Sequence, residues 1–406
     1  MTFSLRPPAS DQLQILNLLL DGEQKTRVQL AAATGWARNT VVARLAELIE
    51  ARWIKTADVG GMRGRPAALY RLNPRAALLF VASFGPTSLC VAVTDLLGRQ
   101  LVAEEFEFDI DSGPQDAMRV AAEAKQRLTV AADLSDESIA AAAIVLPCPL
   151  DFASGVPVNP AFMPAWTGFK VAAGFAAALN VPTCVDNDAN AMALGALRLV
   201  VPGARNVVCV KLENGVGVGI IAAGSLQRGE RGLAGEIGHI SSSKAAGRLC
   251  DCGNEGCVGQ IAADPAIIRD LREAGLNVEN VDDVIELSTR GNPDVLQVLR
   301  EAGRGLGEVL VGVAATLSPS VVILTGELTA GDHIASGVRE VIFGRSVPAL
   351  VSHLQIMTAT NHKDCAVNGG AALALDVLMS QGIVAPDEGK GAILSVGEGL
   401  LQALPA

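Results

Sequence analysis

GEIGHISSSKAAGRLCDCGNEGC, residues 235–257, gathers His239, Cys250, Cys252 and Cys257 into one short stretch. Three thiolates and one imidazole make a full tetrahedral ligand set for zinc. The cysteines follow C-x-C-x4-C, and Gly253 and Gly256 let the backbone turn tightly around an ion. Scattered buried thiols are the bland alternative, because free Cys is commonly buried. Against it, the chain has only 8 Cys, and three of them fall between positions 250 and 257. The stretch is too polar and too Gly-rich to pack by itself, so a metal is expected to close it. With all four positions taken by protein none is left for water, and the expected role is structural.

On both sides of this loop the pattern alternates strands and helices. LLFVASF (78–84), SLCVAVTD (88–95) and QLVAEEFEF (100–108) read as consecutive strands, with Leu97-Gly98 at a turn. A helix, PQDAMRVAAEAKQRL (114–128), and a buried strand, IAAAAIVLP (139–147), follow. TCVDNDANAMALGALRLV (183–200) reads as a strand running into a helix, and NVVCVKLENGVGVGIIAAGSLQRG (206–229) as a strand–turn–strand meander. SVVILTGEL (320–328) and GGAALALDVL (369–378) supply a further strand and a late helix. Two similar mixed α/β halves with a cleft between them are expected.

The junction VDNDAN places Asp186, Asn187 and Asp188 at a strand end. Carboxylates and amides there suit sugar hydroxyls, through charge-assisted bonds that an analogue lacking the hydroxyl cannot replace. Asp188 could also act as a general base. Alternatively, Asn187 and Asp188 simply cap the helix that follows. Glu236, three residues before His239, is either a solvated loop acid or a group aimed by the metal-fixed loop.

The net charge of −11 hides an asymmetry. Residues 1–75 hold eleven Lys/Arg against six Asp/Glu, and the rest holds 21 basic and 37 acidic residues. An acidic body repels nucleic acid, whereas a basic head can bind it. Within the head, SDQLQILNLLLDG (10–22), TRVQLAAATGW (26–36) and ARNTVVARLAELIEARW (37–53) read as three helices. WIKTADV and AALYRLN read as two strands joined by GGMRGRP (60–66). Helix, short helix, tight turn and helix, followed by a hairpin, is the winged helix-turn-helix pattern. The start of its third helix enters the major groove, which makes Arg38, Asn39, Thr40 and Arg44 candidate contacts to double-stranded DNA. Arg63 and Arg65, at the hairpin tip, suit a minor groove or phosphates. A merely solvated basic face is the alternative for each residue.

The N-terminal sequence has no apolar signal region, and no apolar run reaches the roughly 18–20 residues that span a bilayer. A cytoplasmic protein with reduced thiols and no membrane contact is expected.

Together these pieces resemble the ROK family of bacterial sugar kinases and sugar-responsive repressors, which share a two-lobed actin-like ATPase fold. VDNDANAMALG (185–195), AGEIGH (234–239) and CDCGNEGC (250–257) carry the resemblance, with a head whose hairpin ends in GRP. It implies four parts: a winged helix-turn-helix at 1–75, a first lobe at 76–190, a second lobe with the zinc loop at 191–382, and a tail at 383–406. It implies a sugar site lined by Asn187, Asp188, Glu236 and His239, with Asn159 in VPVNPAFMPAW (156–166) as a further contact. A homodimer is implied as well.

The departures point away from catalysis. Family kinases open with an Asp-x-Gly-Gly-Thr-type phosphate loop; the stretch here is SFGPTS (83–88), with Ser83 for the Asp and Pro86 for the second Gly. Proline adds bulk and removes a backbone N–H where phosphate would be cradled. The second loop, Gly-Thr-Gly-x-Gly in kinases, reads ENGVG (213–217), and the adenosine-side Gly-Gly reads Thr325-Gly326. Gly259 stands where the family has a sugar-binding Glu. The reading is therefore a sugar-responsive repressor that binds a palindromic operator as a dimer and has lost kinase activity. Its rivals are an active sugar kinase carrying a regulatory head, and a ligand-independent DNA-binding or docking protein.

Overall fold

The computed structural model describes residues 8, 10–57, 68–158, 163–359 and 361–380. Arg63, Arg65, Asn159 and the tail 383–406 lie outside the described residues.

The three expected head helices form at Ser10–Asn17, Arg27–Thr34 and Arg38–Glu50, the first stopping at Asn17 rather than near Gly22. Thr26 starts the second: its hydroxyl accepts from the Gln29 backbone N–H at 3.2 Å, and the Gln29 side chain accepts from the Thr26 backbone N–H at 2.8 Å. Such reciprocal caps satisfy two backbone donors at once. The third helix follows an extended Ala37 that provides no side-chain cap. Leu16, Leu30, Val41, Leu45, Leu48 and Trp53 form the buried interior of the head. Ile54–Ala57 pairs antiparallel with Leu69–Leu72, and Lys25–Thr26 pairs with the other edge of Leu69–Leu72.

The chain forms two compact units, each discontinuous in sequence. The first takes Met1–Val145, Phe169–Asp186 and Gly370–Ala406; the second takes Leu146–Gly168 and Asn187–Gly369. A five-stranded sheet of the first unit runs, in spatial order, Thr183–Asn187, Ile139–Leu146, Leu78–Phe84, Ser88–Asp95, Gln100–Glu107. Its last three strands are an antiparallel meander, and Ile139–Leu146 lies parallel to Leu78–Phe84.

The second unit repeats this plan. Its sheet runs Ser225–Leu226, Val216–Ala222, Val207–Leu212, Val321–Thr325, Gln355–Ala359. Again three meander strands are antiparallel and the next two are parallel. Parallel pairing requires crossovers, supplied by helices such as Pro293–Leu317 and His333–Arg345. The two similar α/β halves expected from the sequence are present. Among the described residues no helix is long and apolar enough to cross a membrane.

Candidate functional site

Asp188 is the first residue of the helix Asp188–Leu199, and Asn187 is its cap. Asn187 accepts from the Ala189 backbone N–H at 2.9 Å and donates from its amide to the Cys148 carbonyl at 3.1 Å. Capping is thus the observed employment of Asn187, and its amide also pins the helix start to the segment carrying Cys148. The helix lies directly on the strand Val216–Ala222: a Cβ on Gly219 would sit 2.3 Å from the Ala189 carbonyl oxygen. That close approach fixes where Asp188 stands.

Opposite Asp188 is a residue that the sequence reading passed over. Lys211 belongs to Val207–Leu212, a strand buried along its whole length. Its ammonium lies 2.6 Å from Asp188 Oδ2 and 3.3 Å from Glu213 Oε2. The other Asp188 oxygen accepts from the Ala189 N–H at 2.7 Å. The signal was present as a lone Lys inside the apolar run VVCVKL (207–212). Burial raises the Asp188 carboxyl above its ordinary value, and the Lys211 charge offsets only part of that rise. Burial alone would lower Lys211, yet Asp188 and Glu213 hold it above the ordinary lysine value. We take the pair as ionised, because 2.6 Å is a charge-assisted contact.

Further carboxyls surround this pair. Glu236 is pushed up to about 7, first by burial and then by the charge of Asp188. Its loop is pressed against the strand Val216–Ala222: the Gly235 carbonyl accepts from the Val218 N–H at 2.9 Å. Gly235 has φ +99°, and a Cβ there would meet the Val218 oxygen at 1.8 Å, so only glycine fits beside Glu236. Asp264, whose N–H donates to the Glu213 carbonyl at 2.8 Å, is also pushed up to about 7. The causes there are burial, then the charges of Glu213 and Glu327. Its Oδ1 is buried without a hydrogen-bond partner.

The cysteine loop closes as its spacing predicts. Cys250 Sγ lies 3.5 Å from His239 Nδ1, and Cys252 Sγ 3.6 Å from Cys257 Sγ. All four donor atoms fall within 4.8 Å of one another and could hold a metal ion. A turn folds the tip, with the Cys250 N–H donating to the Asn254 carbonyl at 2.9 Å and the Gly253 N–H to the Cys250 carbonyl at 2.8 Å. Glu308, on the helix Pro293–Leu317, anchors the near end by accepting from the Ser242 hydroxyl and the Ser243 N–H, both at 2.8 Å. All eight cysteines of the chain are free thiols.

In the head, Arg38, Asn39 and Thr40 are exposed on the first turn of the third helix. Arg44 is not free in the same way: it pairs with Asp11 at 2.6 Å and Glu47 at 2.7 Å. Val42, exposed beyond the Arg38–Thr40 turn on the same helix, was not among the sequence candidates.

The xylose repressor of Bacillus spizizenii is 23% identical over 372 residues, spanning 90% of this chain and 95% of its own length. The glucokinase of Halalkalibacterium halodurans is 29% identical over 224 residues, which are 51% of this chain and 68% of that one. Among solved structures, a ROK family transcriptional regulator homologous to the E. coli Mlc protein superposes with a TM-score of 0.76 at 24% identity, covering 90% of this chain and 96% of that chain. A ROK family glucokinase from Streptomyces griseus, solved with glucose and AMPPNP, superposes with a TM-score of 0.62 at 25% identity, covering 73% of this chain and 99% of that one. The ROK family model itself matches residues 82–377, through Asp188, the Glu236 loop and the cysteine cluster, and the chain belongs to the ROK family.

Proposed function

We propose that the protein is a sugar-responsive transcriptional repressor whose head is a winged helix-turn-helix and whose body has lost kinase activity. One observation carries the reading: the xylose repressor aligns over 372 residues, 90% of the chain, whereas the glucokinase aligns with only 51%. The exposed Arg38, Asn39 and Thr40 turn, on an uncapped helix start, supports a major-groove contact. Arg63 and Arg65 would hold the flanking backbone. Arg44, being paired with Asp11 and Glu47, serves chiefly to brace the head. A cytoplasmic homodimer would set two heads on a palindromic operator, with half-sites spaced by its two-fold axis.

The effector would be a sugar held by Asp188, Glu236 and His239, with Asn187 orienting the helix start and Asn159 as an added contact. The donor set fits zinc: neighbouring donors 3.5 and 3.6 Å apart suit tetrahedral bonds of about 2.0–2.3 Å. Zinc there would stiffen the loop, and ligation through His239 Nδ1 would leave Nε2 for a sugar hydroxyl. Loss of kinase activity is supported by two acids, Glu213 in the second phosphate loop and Glu327 beside Gly326, whose charges would repel nucleotide phosphates.

The test is capture of fragmented genomic DNA at near-physiological salt, followed by sequencing. Enrichment of a few palindromic sites, lost in Arg38→Ala and Asn39→Ala, is expected. Retention without sequence preference that vanishes as salt rises would overturn the repressor reading.

A further inference from the structure

We infer that Lys211 is a positioning residue that holds Asp188 as a fixed hydrogen-bond acceptor and silences it as a base, so that the site reads sugar hydroxyls without activating them. The inference rests on the reading of Asp188 as a sugar-site residue and adds the reason it does no chemistry. Both side chains are nearly enclosed, with 10% exposure for Lys211 and 13% for Asp188, so solvent does little to screen the 2.6 Å contact. One carboxylate oxygen is taken by the ammonium and the other already accepts the Ala189 N–H. Lone pairs remain for a hydroxyl donor. Taking that donor's proton would mean forming a neutral acid against a buried ammonium, which destroys the attraction that organises the cluster. The nucleotide-loop departures disable phosphate binding; Lys211 disables the group that would activate the nucleophile.

The surroundings leave Lys211 no substitute. The groups that act on Asp188 are Lys211 and Glu213 from the strand Val207–Leu212 and its turn. Asp188 in turn acts on Glu236, from its loop, and on Cys148. All of these except Lys211 are acids or a thiol. Removal of the lysine therefore leaves Asp188 buried among like charges, where the carboxyl keeps its proton at neutral pH. A group whose folded value is raised lends stability below its unfolded value and loses it as pH rises through the folded one. The lysine-free protein is thus expected to weaken with rising pH, relative to wild type, across the neutral range.

The experiment is a cycle of Lys211→Met, Asp188→Asn and the double variant, unfolded in denaturant from about pH 5.5 to about pH 8.5. Lys211→Met is expected to show a midpoint that falls with pH relative to wild type. Addition of Asp188→Asn should remove that extra slope, and Lys211→Arg should keep the wild-type profile. A Lys211→Met profile parallel to wild type, or an extra slope that survives Asp188→Asn, overturns the inference. Should Lys211→Met fail to fold, rescue of folding by the double variant supports it, and an equally unfolded double variant overturns it. Calorimetry of the wild-type protein with neutral hexoses and pentoses tests the effector reading separately. A protein that binds no such sugar yet shows the coupling keeps the Lys211 pair and loses the sugar reading.

Discussion

The second unit holds two clusters of reactive side chains that are built on opposite terms. The cysteine loop gathers four donors on a partly exposed turn, close enough together that they could hold a metal ion. The Lys211 cluster lies buried, and its central acid already has a cation from the same chain. One site would be completed from outside and the other is completed from within. The difference sets what each can do: the first would gain stability from a bound metal, and the second uses its charge to fix geometry.

Attacks on each site sharpen the contrast. The largest effect is expected from Cys257→Ser, which removes a buried ligand: bound zinc should vanish from elemental analysis and the melting temperature should fall by on the order of 10 °C. A variant that kept one equivalent of zinc per chain would break the ligand assignment. Next is Lys211→Met, which takes the cation from a buried acid and forces it to take up a proton, and should cost about 3–5 kcal/mol by denaturant unfolding at neutral pH. A loss below about 1 kcal/mol would place the pair with exposed ion pairs instead.

Asp264→Asn comes third. Its carboxyl stands at about 7 in the folded protein, against an ordinary value of 3.8. The sign is that of a raised acid: its stabilising share is complete below about pH 4, is lost as pH climbs to about 7, and stays absent above. The asparagine variant should therefore gain on wild type by about 1–3 kcal/mol between those limits, read as the difference between two pH–stability curves. Parallel curves would mean that Asp264 ionises normally. The smallest effect is expected from Gly259→Glu. A Cβ at Gly259 would lie 3.2 Å from the Gly238 oxygen, so the backbone must give by a few tenths of an ångström. Sugar affinity by calorimetry should rise about tenfold, or about 1.4 kcal/mol, as one hydroxyl partner returns; unchanged affinity would show that position 259 does not face the ligand.

How much of this was legible in the sequence depended on whether a signal was local. The helix start at Thr26, the cysteine spacing and the strand-to-helix junction at Asn187 depend on neighbours a few residues apart, and each formed as read. Lys211 and Asp188 are 23 positions apart, and their pairing depends on which strand the helix rests upon. Arg44 looked like a free groove contact because Asp11 is on a different helix. The helix Pro293–Leu317 was hidden for another reason. Its run EAGRGLGEVLVG (301–312) contains four glycines, which weaken a helix taken alone. In the fold they let a second helix approach: a Cβ on Gly303 would stand 2.1 Å from the Ile334 carbonyl oxygen of His333–Arg345. Tertiary contact there outweighs local preference.

The discontinuity of the two units has a consequence for birth of the chain at the ribosome. Every segment of the second unit, Leu146–Gly168 and Asn187–Gly369, has been synthesised before Gly370 emerges. The first unit, although it contains the N-terminal head, still lacks its last segment at that moment. The half with the cysteine loop can therefore mature first, and the half that bears the head is sealed last by the end of the helix His362–Ser380. A nascent chain arrested just before residue 370 should protect the cysteine loop from proteases while the first sheet remains susceptible.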